Sequence, residues 1–477
     1  MRIKSRILAS LLCIMTVLCS CSDNDGSSLS SGDDISSYNK AQSSQIDQSS
    51  FQESSQPDDT IKQESTDIKQ RFGDIISDTS SALVQDSSFT IDESTVGKDI
   101  AQMYDYINKT GCFPVYKGVD IEYYPMGELA LEPMLDELRA AKKFIFLEYY
   151  TLNEGQMWDA IYEILKEKAA DGVEVMVMYD LLINSPYLPS DFQQQLESDG
   201  IKCIPFSGAD EGKSSDTNLR DHRKIMVIDG KTAFTGGVNI ADSYINITHE
   251  YGVWKDNVIK IKGSAAGSFT LMVMQLWNAS GGDLEYEKYL NVDSKTDDNG
   301  YIMPFSDSPY DKYLVGKSFY LTMLENASDY IYITTPYLIP DKEFEDAMIS
   351  TAARGVDVKV YVPGTSDLAV AGMMTRSHYK SLIDGGVKIF EYKKGFIHSK
   401  VFVSDDVKAI VGTVNIDNRS FLYDFECGVY IYGKEAISDI LAEFTDNEND
   451  FREITSEEAA KYSNVSGYLF KGIEGYF

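Results

Sequence analysis

From about residue 96 onward, short apolar runs alternate with longer stretches whose apolar positions recur every three or four residues. Phe144 to Tyr150, Val173 to Met178 and Ile201 to Pro205 are runs of the first kind and predict buried strands. Gln156 to Ala170 carries the helical period, and Asp171-Gly172 stops it; a shorter helix is predicted over 190–198. A strand over 258–261 and a helix over 265–277 follow. The polar segment Asp293 to Asn299 interrupts the pattern and predicts a lobe boundary. Beyond it the order returns: helix 313–324, strand 330–334, helix 342–353, strand 356–362, helix 373–383, strand 387–392, then a strand over 428–432 and a closing helix over 437–446. Ala169-Ala170-Asp171-Gly172-Val173 and Ala353-Arg354-Gly355-Val356 mark the same helix-to-strand step in both halves. Such alternation with crossovers predicts an α/β protein of two similar lobes, 96–292 and 300–477, each a mixed β-sheet flanked by helices.

Inside this duplicated pattern lie two copies of one polar frame. The first runs His222-Arg223-Lys224 through Asp229-Gly230 to Gly236-Gly237-Val238-Asn239. The second runs His398-Ser399-Lys400 through Asp405-Asp406 to Gly412-Thr413-Val414-Asn415. Counted from each His, Lys, Asp, Gly and Asn recur at the same offsets. The whole chain holds only 4 histidines, so the agreement of two of them with so long a frame marks a site rather than two unrelated core residues.

A strand turns residues i and i+2 to one face, so each imidazole shares its face with the following ammonium. Asp229-Gly230 and Asp405-Asp406 predict tight turns that fold each strand back as a hairpin. The reflection brings Gly237 roughly opposite His222 and Thr413 roughly opposite His398, with Asn239 and Asn415 just past the strand end. Imidazole, ammonium and carboxamide converging on a small space suit a phosphate. A His can attack phosphorus, Lys can hold the non-bridging oxygens, and a second His can protonate the leaving oxygen. One copy supplies one His, so the two copies are expected to face each other across a shared site. The turn positions of Asp229 and Asp405 fit a structural role as well as a chemical one.

The N-terminus changes the picture in a different way. Arg2, Lys4 and Arg6 precede an apolar run from Ile7 to Leu18, too short to span a bilayer and matching a secretory signal. Leu18-Cys19-Ser20-Cys21 resembles a bacterial lipobox, which implies cleavage after residue 20, lipidation of Cys21 and a mature protein anchored on the extracytoplasmic face of the cell membrane. Residues 22–95 hold 15 acidic and 4 basic residues among Ser, Asp and Gln runs, which predicts a disordered tether. That stretch supplies −11 of the formal charge of −32 and leaves −21 to the rest, an acidity that argues against a nucleic-acid partner. Cys112, Cys203 and Cys427 lack metal-ligand spacing and predict core thiols.

The paired His-x-Lys-x4-Asp frames resemble the signature of the phospholipase D superfamily. The words around them, Phe146-Leu147-Glu148-Tyr149-Tyr150, Trp254-Lys255-Asp256, Thr334-Thr335-Pro336-Tyr337, Gly395-Phe396-Ile397-His398 and Asn418-Arg419-Ser420-Phe421, are similar to bacterial cardiolipin synthases over about residues 100–477. The resemblance implies a pseudo-twofold fold and a cofactor-free and metal-free transfer. One phosphatidylglycerol gives its phosphatidyl group to a His, and a second phosphatidylglycerol displaces it, yielding cardiolipin and glycerol. A hydrolase of phospholipid or of another extracytoplasmic phosphodiester is the alternative. His222, Lys224, Asp229, His398, Lys400 and Asp405 carry over as the catalytic set, active within a monomer. The chain departs from its relatives in having a lipoprotein-type signal where they begin with two spanning helices. It also has Asp221 and Asp424 where they have Asn.

Each imidazole calls for a carboxylate on its other nitrogen. Glu426 is the expected partner of His398. For His222 the candidates are Asp256, which is preferred, and Glu250. His249 and His378 are expected at the surface or in packing.

Overall fold

The computed structural model describes residues 68–79, 82–83, 93–97, 101, 113–208, 218–290, 300–446 and 448–466. Its first sheet has seven strands in the order Asp120–Tyr124, Val258–Lys262, Thr232–Gly236, Lys224–Ile228, Phe144–Tyr149, Glu174–Asp180, Lys202–Phe206. The second contains the same seven-strand sequence: Tyr301–Asp307, Asp424–Tyr432, Lys408–Gly412, Val401–Ser404, Tyr330–Thr334, Asp357–Pro363, Lys388–Tyr392. It gains Tyr116–Lys117 on one edge and Phe451–Glu453 on the other. In each sheet the three strands joined by helical crossovers are parallel and the frame hairpin is antiparallel.

The apolar runs become strands because both of their faces are covered. Phe144–Tyr149 is buried at every position, as are Lys224–Ile228 and Val401–Ser404. Helix Gln156–Ala170 spans the residues its period predicts. Helix Ala266–Ala279 is buried on nearly all sides and packs on strands of both sheets. One core cluster draws Phe146, Met178 and Met272 from the first half and Val411, Val429 and Phe444 from the second. Both halves accordingly belong to one compact unit.

Two hairpin turns match the expected geometry. Asp229 and Gly230 have φ of 54° and 66°, and Asp405 and Asp406 have 54° and 60°, the pair of positive values that a type I′ turn requires. Asp tolerates this region better than most side chains.

The stretch 22–95, expected to be a disordered tether, contains an ordered and packed helix. Ile68–Thr79 is a helix whose Phe72 is buried against Phe425, and Arg71 Nε donates to the Ala279 carbonyl. Composition averaged over the whole stretch hid the amphipathic spacing of Ile68, Phe72, Ile75, Ile76 and Thr79. Strand Asp424–Tyr432 also begins four residues earlier than its apolar run predicted, because the polar positions Asp424 and Glu426 are themselves buried. The expected boundary at 293–299, Cys21 and Cys112 lie outside the described residues. Cys203 and Cys427 are buried free thiols.

Candidate active site

Each frame begins on a short strand that crosses to the other half. Arg220–Asp221 pairs in parallel with Asp424–Phe425, and the His222 amide donates to the Phe425 carbonyl at 3.0 Å. Gly395–Ile397 pairs in parallel with Val253–Lys255, and the His398 amide donates to the Lys255 carbonyl at 2.8 Å. Parallel register places the next residue of each partner beside the His. The two orienting carboxylates are therefore exchanged between halves.

Glu426 Oε1 lies 2.9 Å from His222 Nδ1, and Asp256 Oδ2 lies 2.7 Å from His398 Nδ1. The sequence had suggested the opposite assignment, with Glu426 on His398 and Asp256 on His222. Sequence offset favours partners within one half, whereas the crossing strands hand each carboxylate to the other. Glu250 is exposed and serves neither ring. With Nδ1 committed to a carboxylate, Nε2 is the nitrogen left uncommitted to these carboxylates on each ring.

The residues opposite the frames support the carboxylates. A Cβ on Gly237 would collide with Asp256, so Gly is what allows that carboxylate its place; the Gly237 carbonyl also lies 3.1 Å from His398 Nδ1. Thr413 Oγ1 donates to Glu426 Oε2 at 2.5 Å. The small residues thus make room for an orienting carboxylate instead of an anion beside their own imidazole, which corrects the simple hairpin picture.

Tyr150 packs edge-on against His222 at 4.8 Å between ring centres, and Tyr244 does the same for His398 at 5.4 Å. Both rings lie in recognisable surroundings, Tyr150 closing the first quoted word and Tyr244 lying five residues past Asn239, yet neither was picked out from sequence. The Asn239 carboxamide accepts from the Thr151 amide at 3.0 Å and donates to the Tyr244 hydroxyl at 2.8 Å. Asn415 is buried with its Oδ1 unpartnered by any described protein group. The two Asn therefore differ, the first held at both ends of its carboxamide and the second with a buried oxygen left unpartnered.

Lys224 and Lys400 are fully buried, and each ammonium donates to the carbonyl of its own frame His. Burial lowers Lys224 to about 8 and Lys400 to about 7. Burial also lowers His398 to about 4, reinforced by Lys400 and opposed by Asp256. His222 is held well below its usual range by burial, then by Lys224, Lys400 and His398. These cross-effects place all four basic groups around one space. Taking charges out of water without a counter-ion depresses basic groups, and a bound anion would reverse the effect.

Asp229 and Asp405 stand apart from this space. Seven residues of extended chain at roughly 3.3 Å each separate each Asp from its His, on the order of 20 Å. Asp229 accepts from the amides of Lys142, Lys143 and Phe144. Asp405 accepts from those of Ser328, Asp329 and Tyr330. The expectation that they join the catalytic set is corrected: they fasten the far turn to the start of the neighbouring strand.

The acidic departures are buried with their own partners. Asp221 faces Arg223, whose Nε lies 2.5 Å from Glu148 and 3.7 Å from Asp221. Asp424 is 3.5 Å from Arg419, and burial pushes its carboxyl up to about 8. His222, Asp424 and Glu426 could bring ligand atoms within 4.8 Å of one another for a metal ion. That trio shares its field with Lys224 and Arg419, and His222 and Glu426 already bind each other, so the donor set fits a cation poorly.

The cardiolipin synthase PLD-like domain matches the chain twice, over residues 134–270 and 320–447. The chain belongs to that family. Its relatives include a cardiolipin synthase of Geobacillus sp. (strain WCH70), 32% identical over 362 residues, covering 75% of this chain and 72% of that one. An uncharacterized protein of Streptococcus mutans serotype c is 45% identical over 351 residues, covering 73% and 76%. Among solved structures, the phosphatidylserine synthase of Haemophilus influenzae Rd KW20 superposes with a TM-score of 0.61 at 13% identity, over 80% of this chain and all of that one; this supports the two-lobed fold alone. Family membership makes the chain an enzyme of the phospholipase D superfamily, and the two domain matches coincide with its two halves.

Proposed function

We propose that this cardiolipin synthase relative is a phosphatidyltransferase that joins two phosphatidylglycerol molecules through a phosphohistidine. The observation that carries the reading is the pair of imidazoles, each held at Nδ1 by a carboxylate from the opposite half, around buried Lys224 and Lys400. His222 Nε2 attacks phosphorus and the bond from phosphorus to the glycerol oxygen breaks. His398 Nε2 gives that oxygen its proton, and glycerol leaves. A hydroxyl of the second phosphatidylglycerol then gives its proton to His398, its oxygen bonds to phosphorus, and the phosphorus–nitrogen bond breaks.

Assignment of attack to His222 draws support from its ring being held well below its usual range, by burial first. The neutral ring keeps its proton on Nδ1 toward Glu426 Oε1, which leaves the Nε2 lone pair free. Asp256 instead opposes the lowering of His398 and so favours the imidazolium that an acid must be. The substrate's negative charge completes that shift by offsetting Lys224 and Lys400. The two lysines hold the non-bridging oxygens, and the Asn415 side-chain N–H donates to one of them, whereas the Asn239 N–H is engaged by Tyr244.

Lipidation of Cys21 would hold this activity at the extracytoplasmic membrane face. No helix among the described residues is long and apolar enough to cross a membrane. The test is purified protein with phosphatidylglycerol vesicles and lipid chromatography. Cardiolipin with glycerol is the expected product. Phosphatidic acid alone would show that water is the acceptor and would replace this reading with hydrolysis.

A further inference from the structure

Most of the large exposed apolar side chains of this acidic protein lie on segments that follow the site strands and frames, with Leu129, Tyr313 and Val407 elsewhere. Leu182 and Tyr187, 53% and 56% exposed, sit on the segment after Glu174–Asp180 in the first half. Leu368 and Met373 sit on the corresponding segment after Asp357–Pro363 in the second, and both are exposed. Ile247, two residues past the turn of helix after the first frame, and Leu422, the last residue of the short helix after the second, are exposed.

Hydrogen bonds fix these segments to the site walls. Asn184 Nδ2 donates to the Tyr150 carbonyl at 2.7 Å, and its Oδ1 accepts from the Leu152 amide at 2.8 Å. Tyr150 is the ring against His222. In the other half Thr375 Oγ1 accepts from the Leu338 amide at 3.1 Å, and Asp367 Oδ2 accepts from the Tyr337 hydroxyl at 2.7 Å. Leu152 and Leu338 bridge to Ile240 and Ile416, which directly follow Asn239 and Asn415. The same anchoring thus repeats around the pseudo-twofold axis, and both copies carry bulky apolar residues outward.

Charge is withheld from the same places. Residues 181–190 and 368–375 contain no Asp, Glu, Lys or Arg, in a chain of which 25% is charged and whose net charge is −32. An acidic protein gains nothing from long-range attraction to an anionic bilayer, so contact there has to come from apolar insertion with like charge removed. Tyr at such a rim has the amphipathic ring favoured at a lipid–water boundary.

We propose that Leu182, Tyr187, Leu368, Met373, Ile247 and Leu422 form a rim that dips into the surface of an anionic phospholipid bilayer and seats the site over the headgroups. The proposal rests on the phospholipid reading above. It adds that the folded domain, independently of any anchor at Cys21, meets the membrane through this rim. The phosphate then reaches the imidazoles while its acyl chains stay among apolar side chains.

Two measurements on the full chain test it. The variant Leu182→Ser/Tyr187→Ser/Leu368→Ser/Met373→Ser is compared with wild type on phosphatidylglycerol vesicles and on monomeric dihexanoyl phosphatidylglycerol. Turnover on vesicles should fall about tenfold or more while turnover on the soluble lipid changes less than about twofold. Equal retention on vesicles, or equal loss on both lipids, would overturn the rim. So would loss of a dimer in gel filtration alongside the vesicle defect, since a second copy would then be the occupant. Separately, Tyr187→Trp should shift its emission to the blue on adding phosphatidylglycerol vesicles, because the native Trp158, Trp254 and Trp277 are buried. An unchanged spectrum overturns the proposal. This readout needs no turnover, so a wild type inactive on both lipids would sink the transferase reading without deciding the rim.

Discussion

His222 and His398 share one backbone plan and one set of immediate neighbours, while the packing behind the two rings shares almost no side chains. Behind His222, Arg223 binds Glu148 and Asp221, and Arg220 binds Asp180 at 2.9 Å, all of them buried. In the matching places behind His398, Ser399 donates to Thr334 at 3.0 Å, and the nearest ion pair is Lys255 with Glu443 at 3.0 Å. Glu443 also accepts from the Tyr123 hydroxyl, and Tyr123 lies 3.0 Å from Asn257 beside Asp256. An ionic cluster thus braces one ring and a mixed hydroxyl and ion-pair network braces the other. Duplication preserved the strand crossings that deliver a carboxylate to each imidazole. The packing behind them diverged, while burial lowers both rings.

Replacing the rings should have the largest effect. His222→Ala and His398→Ala should each lower turnover by about 10³- to 10⁴-fold, yet differently. Only His222→Ala should abolish the alkali-stable, acid-labile covalent label that radiolabelled phosphatidylglycerol leaves on detergent-denatured protein. Labelling lost only in His398→Ala would reverse the roles.

The exchanged carboxylates come next. Asp256→Asn and Glu426→Gln should each cost about 10- to 100-fold in turnover. Proton NMR sharpens the point: Asp256→Asn should shift the Nδ1–H signal of His398 and leave that of His222 in place. A shift at His222 alone would contradict the crossing.

Stability separates the two braces. Arg223→Met leaves Glu148 and Asp221 buried without their cation and should cost about 3–5 kcal/mol, read by urea denaturation. Ser399→Ala, at the matching position, removes a neutral hydrogen bond and should cost about 1 kcal/mol.

The lysines set the alkaline limb. Their protonated forms bind the phosphate, and these are present below about 7 for Lys400 and about 8 for Lys224 and lost as pH rises through those values. kcat/KM, which reports the free enzyme, should therefore fall above pH 7, with kcat falling at higher pH because bound phosphate restores the ammonium. A kcat/KM flat through both values would remove the lysines from binding.

The smallest catalytic effect should come from Asp229→Ala and Asp405→Ala. Each should destabilise the fold by about 1–3 kcal/mol through lost charge-assisted hydrogen bonds, with turnover of the folded fraction changed by less than about threefold.

Much of this arrangement was legible without coordinates. The helices over 156–170 and 342–353 and the strand over 330–334 follow from periodicity and its stops, since those signals are local. Shared identity of the frames made the joint site inferable. Strand Asp120–Tyr124 and helix Gly127–Ala140 were missed: the strand alternates only weakly, and Pro133 stands inside the helix. Asp229 and Asp405 read as catalytic because the frame repeats them, although repetition is equally required of a turn that must be built twice.

The order of residues alone determined that this chain folds as two alike halves and singled out two histidines and two lysines as one set suited to a phosphate. Those conclusions need only side-chain chemistry, spacing and period, which neighbouring residues carry with them. Which carboxylate holds which imidazole was decided in tertiary space. Glu426 lies 204 residues from His222 and Asp256 lies 142 from His398, and only the parallel pairing of a strand from each half with a strand from the other brings them into hydrogen-bond range. The depressed lysines are likewise a property of the fold, because burial in a shared pocket, absent from any local stretch of chain, is what strips their charges of water.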